Sequence, residues 1–290
     1  MTEQTLDPRI NAYRGDIAAA SLKGQVEAER FVAPTSMCVA TPLAPMHKWP
    51  AADARCTNEI WFGELVDVYD LADGWAWCQA AREGYVGYVR ADALTDVITQ
   101  ASHRLVVSAS HLYPEPDMKS APAEWLPFGA RLTIAEEHRG FSRLADGRWA
   151  VTRHILPVSA VEPDIFATAL KFQGVPYLWG GGSAAGIDCS GLIQVALLNA
   201  GQACPRDSNQ MAAALGQALA DDTDPAALAR GDLVFFPGHV MIADGQGNAL
   251  HANAHHMAVA LEPVEVVRRR CTPAEADGWR YRRVETAVAA

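Results

Sequence analysis

The dipeptide Phe62-Gly63 returns as Phe128-Gly129, and twelve residues beyond each glycine comes an aromatic, Trp75 and Phe141. Residues 86–94 are answered in the same way by residues 149–156. A chain that repeats its punctuation like this builds one small unit twice, here of about 60 residues. The first copy consists of short alternating segments at 37–40, 59–62, 64–69, 75–79 and 84–89, divided by turns rich in Pro, Gly and Asp. Five close-set strands of this kind predict a small barrel. Residues 31–97 and 98–160 are therefore expected to form two tandem small β-barrels, the second more divergent. Their aromatics, Trp61, Trp75, Trp77, Tyr85 and Tyr88 among them, read first as core.

Residues 1–30 are polar with short apolar patches and are expected to form an N-terminal extension with a turn or two of helix. The 290 residues carry a net charge of −10, which argues against a nucleic-acid or anionic-membrane partner. The first residues lack the basic and apolar regions of a secretion signal, and no apolar run reaches membrane-spanning length. The six cysteines are scattered without a C-x-x-C pair and read as reduced thiols. Together these features lead to the expectation of a cytoplasmic protein.

The texture changes after the linker Val161-Glu162-Pro163-Asp164. Helical periodicity covers 165–172, 190–201 and 207–219, and strand patterns follow at 232–236, 239–243, 249–252, 259–263 and 279–284. Helices followed by an antiparallel meander make residues 161–290 an α+β domain.

At its head lies Gly180-Gly181-Gly182-Ser183-Ala184-Ala185-Gly186-Ile187-Asp188-Cys189-Ser190-Gly191, directly before an apolar helical run. A cysteine at a helix start faces unpaired backbone N–H groups and the positive end of the dipole, which favour thiolate and lower its pKa. Asp188 is a suitable N-cap. The alternative is a buried cysteine with no chemistry.

Two histidines follow, His239 after a Pro-Gly turn and His251 on the next strand, joined through Asp244-Gly245-Gln246-Gly247. Across so short a hairpin the imidazoles can lie side by side, as a general base and its orienting partner require. Two unrelated histidines, or a metal site of His251, His255 and His256, are the alternatives.

Gly174-Val175-Pro176-Tyr177-Leu178-Trp179-Gly180-Gly181, Asp188-Cys189-Ser190-Gly191, Arg206-Asp207-Ser208, Gly231-Asp232-Leu233, His239-Val240 and His251-Ala252 resemble the NlpC/P60 family of cell-wall peptidases, in order and over most of the last domain. The resemblance implies a papain-like fold with Cys189 as nucleophile, His239 as general base and His251 as orienting group, with the Cys189 N–H in the oxyanion hole. It implies no metal and no cofactor. Residues 31–97 and 98–160 resemble bacterial SH3-like domains, and this domain order further resembles the γ-D-glutamyl-L-diamino acid endopeptidases of murein-peptide recycling. In these the first barrel crowds the cleft and selects a free N-terminal L-alanine, and the substrate is a murein-derived peptide ending in meso-diaminopimelate or Lys. Substrate-contact positions map onto Tyr177, Trp179, Asp188, Ser190, Asp207 and Ser208. From the first barrel, Glu59 or Glu64 and Tyr85 are the candidates for the substrate amine. Asp207 and Ser208 also suit the N-cap of the helix they open. Two rival functions stand beside this reading: an amidase or acyltransferase on the same fold, and a non-catalytic wall-binding protein.

Overall fold

In the computed structural model, which describes residues 6–272, 275 and 278–285, the chain divides into two compact units. One holds residues 1–105 and 110–158, the other 106–109 and 159–290. The ends of the expected extension and of the last domain, residues 1–5 and 286–290, lie outside the described residues.

In the first unit, residues 35–95 form one antiparallel seven-stranded sheet. Its spatial order is Leu94–Thr95, Thr35–Val39, Leu65–Ala72, Trp75–Ala80, Val86–Arg90, Leu43–His47, Cys56–Trp61. Alternate residues turn inward, and Val39, Met46, Ile60, Val66, Val68 and Val89 pack together as the core. The strand Leu43–His47 has no counterpart in the sequence reading, because Pro45 lacks the N–H a strand interior normally donates. The fold accommodates it on a strand that pairs along its length with Cys56–Trp61 but meets Val86–Arg90 only at His47.

The N-terminal extension is not mainly helical. Tyr13–Arg14 and Ile17–Ala19 make a hairpin, Arg30–Val32 joins in parallel, and only Ala20–Leu22 forms a 3-10 turn. Ala12, Ile17 and Ala19 pack on Trp77, so burial against the neighbouring barrel overrides weak local helix preference.

Residues 103–157 reuse the first barrel's turns, but their strands fall into a three-stranded and a five-stranded sheet rather than one continuous sheet. Gly74 O accepts from Ala91 N–H, and Gly140 O accepts from Thr152 N–H. Each bond introduces a 3-10 turn, Ala91–Ala93 or Thr152–His154, and then a closing strand. Gly63 and Gly129 both have positive φ, 77° and 82°. A Cβ on Gly129 would meet the Trp61 ring at 2.3 Å, and one on Gly63 would meet the Arg131 carbonyl oxygen at 2.3 Å. The repeated glycines are therefore where each copy lets the other's chain approach closely.

In the second unit, α1 (Ile165–Leu170) is N-capped by Asp164, whose Oδ1 accepts from Ala167 N–H at 2.9 Å. Helix α2 (Cys189–Asn199) is buried on nearly every side and lies among α1 and the sheet. Helix α3 (Ser208–Ala214) is shorter than its periodicity predicts. At Leu215 the backbone becomes extended, and Gln217–Ala218 pairs with the last strand. A fourth helix, α4 (Val264–Arg270), was not legible in the sequence.

The sheet is antiparallel and six-stranded: β1 (Gln217–Ala218), β2 (Leu233–Phe236), β3 (His239–Ala243), β4 (Asn248–Asn253), β5 (Ala258–Pro263) and β6 (Arg280–Arg283). Its spatial order is β1-β6-β2-β3-β4-β5. Among the described residues no helix is long and apolar enough to cross a membrane.

Candidate active site

Asp188 starts α2 from an extended backbone and takes up its first amides. Its Oδ1 accepts from Gly191 N–H at 2.7 Å and Ser190 Oγ at 3.2 Å, and its Oδ2 from Gly180 N–H at 2.9 Å. Arg206, 2% exposed, clamps both oxygens at 3.0 and 2.7 Å and donates to Ser190 Oγ at 2.8 Å. Gly191 must be glycine here, since a Cβ would meet Gly181 O at 2.3 Å. The two loops before α2 are thereby fixed to its first turn, and Cys189 occupies position N1. Its N–H belongs to the set that no helical carbonyl can satisfy.

The Cys189 sulfur is buried and faces the backbone N–H groups of Val240 and Ser190. Val240 directly follows His239, so the thiol lies against the first residues of β3. The expected lowering of the thiol pKa does not hold in the closed site. Burial, reinforced by Asp188, pushes it up to about 12, and the two amides and Arg206 offset this only in part. A helix start favours the anion, but desolvation of a sealed sulfur outweighs it.

The hairpin brings the histidines together, though not as directly opposed partners. Ile242 pairs with Leu250 and Ala243 with Ala249, and that register continued sets Asn253 opposite His239. His251 is the diagonal neighbour, and its ring length closes the gap: His239 Nε2 and His251 Nδ1 are 2.7 Å apart. Phe236 stacks on the His239 ring at 4.8 Å between centroids and is itself stacked on Trp279, which fixes the imidazole plane and keeps water from one face.

The sequence reading missed what lies behind His251. Its Nε2 is 2.8 Å from Glu262 Oε1 on β5, and Glu262 is gripped by Arg270 of α4 at 2.6 and 2.9 Å. Both ring nitrogens of His251 are thus engaged within the protein, and His255 contacts His256 edge-on at 4.8 Å. Burial lowers His239 to about 3, helped by the neighbouring His251, and lowers His251 to about 4 against the pull of Glu262. For Glu262 burial works upward, but hydrogen bonds from Arg270 and His251 bring it down to about 2. At neutral pH the resting site is a thiol, two neutral imidazoles and a carboxylate.

Residues 174–284 match the NlpC/P60 family model, and residues 46–94 match that of the bacterial dipeptidyl-peptidase SH3 domain. The chain carries an NlpC/P60 peptidase domain behind a bacterial SH3 domain. The chain is 28% identical over 235 residues to dipeptidyl-peptidase 6 of Lysinibacillus sphaericus, an overlap of 73% of this chain and 85% of that protein. It is also 28% identical over 219 residues to the gamma-D-glutamyl-L-lysine dipeptidyl-peptidase of Bacillus subtilis, covering 67% of this chain and 71% of that one. Its fold is shared with the crystal structure of an NlpC/P60 family protein from Bacillus cereus, at a TM-score of 0.71 and 20% identity over 86% of this chain and 99% of that one.

The remaining sequence candidates fall in two places. Around Cys189, Tyr177 is half-buried. Burial, with Cys189 and Asp188 adding to it, raises its hydroxyl to about 12. Trp179 is 57% exposed, Leu178 and Met257 are exposed as well, and Tyr177 N–H donates to Met257 O at 2.9 Å. Asp188 and Ser190 are buried and bonded as described. Asp207 takes the N-cap position of α3 without a side-chain cap hydrogen bond, and Ser208 is the helix's first residue.

Glu59, Glu64 and Tyr85 are buried in the first barrel. Glu64 Oε2 accepts from Trp61 N–H at 3.0 Å and Arg82 at 2.8 Å. Arg82 also donates to Glu59 O at 3.0 Å and lies 4.1 Å from the Trp61 ring centroid. Tyr85 packs within the barrel core.

Proposed function

We propose that this peptidase hydrolyses the γ-D-glutamyl–L-diamino acid bond of peptidoglycan peptides that begin with a free L-alanine. The observation that carries the chemistry is the placement of the Cys189 sulfur beneath the amide following His239, with His239 backed by His251 at 2.7 Å. The bond assignment is supported by the likeness to the Bacillus subtilis gamma-D-glutamyl-L-lysine dipeptidyl-peptidase across both kinds of domain.

Because thiol and imidazole are both neutral at rest, attack is coupled to proton transfer. The Cys189 proton passes to His239 as sulfur bonds to the γ-carbonyl carbon. The Cys189 N–H lies where the developing oxyanion forms. The His239 imidazolium then protonates the departing amine of the diamino acid. Water, deprotonated by His239, hydrolyses the thioester and releases L-Ala-D-Glu. Asp207 and Ser208, next in sequence to the arginine that clamps Asp188, supply the carboxylate and hydroxyl that a substrate ammonium needs. Tyr177 and Trp179 border the peptide. The same reading places the enzyme in the cytoplasm, acting on peptides already released from the wall.

The test uses L-Ala-γ-D-Glu-L-Lys, its meso-diaminopimelate counterpart and their N-acetylated forms. The wild type should cleave the free tripeptides and leave the acetylated ones. Cys189→Ala should lose at least about 1,000-fold in kcat, consistent with removing the nucleophile, while retaining the wild-type circular dichroism. Undiminished turnover by that variant would end the reading, and cleavage of the acetylated peptides alone would point to an amidase.

A further inference from the structure

The nucleophile and base leave one charged group of the site unused, the Glu262 carboxylate, 8% exposed behind His251. It comes from β5, and its partner Arg270 from α4, neither of which carries a nucleophile or base. Ala260 stands opposite His251 in the β4–β5 pairing, and Glu262 is the next residue on the same face, which puts its carboxylate at the far nitrogen of that ring. Arg270 donates to both carboxylate oxygens at 2.9 and 2.6 Å, a bidentate grip that holds the group ionised and oriented.

We infer that Glu262, held by Arg270, is a positioning residue that sets the tautomers of both histidines and so determines which nitrogen of His239 takes the thiol proton. The inference rests on the thiol-peptidase reading above. An ionised carboxylate only accepts hydrogen bonds. His251 Nε2, 2.8 Å from Glu262, must therefore carry the proton. A neutral imidazole has one N–H, so His251 Nδ1 presents a lone pair. His239 Nε2, 2.7 Å from that lone pair, is in turn the N–H of its ring. The bare nitrogen of His239 is then Nδ1, the one not engaged with His251. The proton leaving Cys189 arrives there. The resulting imidazolium donates Nε2–H to His251, whose Nε2–H points to the carboxylate, so the positive charge is met by a negative one two hydrogen bonds away. With the opposite His251 tautomer, either two N–H groups would face each other between the histidines, or His239 would carry its proton on Nδ1 and the base would be occupied. The low pKa of Glu262 agrees with its being ionised throughout the working range.

Several titratable and charged groups face this chain. His256, with Nε2 3.4 Å from Glu262 Oε2, and Arg270 flank the carboxylate. Asp188 and Arg206 flank the thiol, and Tyr177 lies near it.

The test reads tautomers directly and needs no substrate. In protein labelled with 15N-histidine, two-bond and three-bond proton–nitrogen correlations at pH 7 should report His251 and His239 both protonated on Nε2 and bare on Nδ1. Finding either ring protonated on Nδ1 in the wild type would overturn the inference. In Glu262→Gln the correlations should shift toward mixed tautomers. The second-order rate of Cys189 alkylation by iodoacetamide should fall about tenfold or more, and kcat for the tripeptide by a similar factor with KM within twofold. Unchanged tautomers and alkylation within twofold of wild type would equally overturn it. If Glu262→Gln does not fold, the wild-type correlations still decide. Failure of the substrate assignment would show as absent tripeptide cleavage with the tautomers as stated, so the two readings fail separately.

Discussion

Two carboxylate–arginine pairs hold this candidate site, one beside Cys189 and one behind His251, and they are built differently. On the sulfur side, Asp188 and Arg206 are both sealed from water, and every bond to the carboxylate ends on backbone amides, a serine hydroxyl or the guanidinium. That pair ties two loops to the start of α2 and has no imidazole partner. On the imidazole side, Glu262 is buried but Arg270 has 30% of its side chain in solvent, and the carboxylate faces His251. The first pair fixes where an atom sits. The second also fixes where protons sit. A nucleophile at a helix start needs only geometry from its surroundings, whereas a base needs geometry and the correct tautomer, and only a charged acceptor in line with the ring supplies both.

The sharpest way to break the comparison is to remove the cation from the sealed pair. Arg206→Met leaves Asp188 buried without its guanidinium and should cost about 3–5 kcal/mol of stability, the usual penalty for an uncompensated buried charge. Urea denaturation of the full chain would show this as a lowered midpoint for the transition containing α2. Adding Asp188→Asn should recover part of the loss, since the lone charge goes with it. A single-variant cost below about 1 kcal/mol would mean the pair is not what holds the loops.

The imidazole side should be distinguished next by pH. His239 is lowered to about 3 and His251 to about 4 in the folded protein, from an ordinary 6.5. A histidine lowered on folding binds its proton more readily in the unfolded chain, so it stabilises the fold fully only above pH 6.5. As pH falls below 6.5 that stability is lost, down to the folded values. At pH 5 each ring alone accounts for about 2 kcal/mol, and the coupled pair for about 2–4 kcal/mol. Glu262, lowered to about 2 from 4.5, contributes in the same sense over a lower range: its stabilisation is complete above pH 4.5 and is lost only as pH falls toward 2. Denaturation midpoints measured from pH 8 to 5 should therefore fall, and His239→Phe with His251→Phe should flatten the slope. A flat wild-type profile would show that the rings are not desolvated.

How much of this was legible in the sequence follows from how local each signal is. Asp188-Cys189 before an apolar run, the Pro-Gly turn before His239 and the short hairpin to His251 are all neighbours along the chain, and the structure assembles them as their local chemistry suggests. Arg206 lies within a motif of the resemblance, but its contact with Asp188 spans eighteen residues and no spacing rule reveals it. Glu262 and Arg270 were invisible because a lone Glu or Arg in sequence reads by default as a solvent-exposed surface residue. Only the β4–β5 register and an unforeseen α4 bring them behind His251. The thiol pKa was misjudged for a related reason, since the helix start is local and the burial that outweighs it is tertiary. Pro45 hid a strand because the rule against proline applies to a strand paired on both sides, and its strand is paired along its length on only one.

The smallest expected effect tests the half-exposed end of the second pair. Arg270→Ala removes two hydrogen bonds from Glu262, yet water can reach the vacated position and His251 Nε2 still has its carboxylate. The stability cost should be about 1 kcal/mol, close to that of a solvent-screened ion pair and well under that of Arg206→Met. The carboxylate should titrate nearer its ordinary value, because Arg270 is the larger of the two hydrogen-bonding influences that lower it. Activity at pH 7 should therefore change less than its tolerance of acid: the acid limb of kcat/KM should move upward in pH as Glu262 is protonated sooner. If Arg270→Ala matched Arg206→Met in cost and left the acid limb in place, the two pairs would be the same kind of clamp, and the distinction between holding an atom and holding a proton would fall.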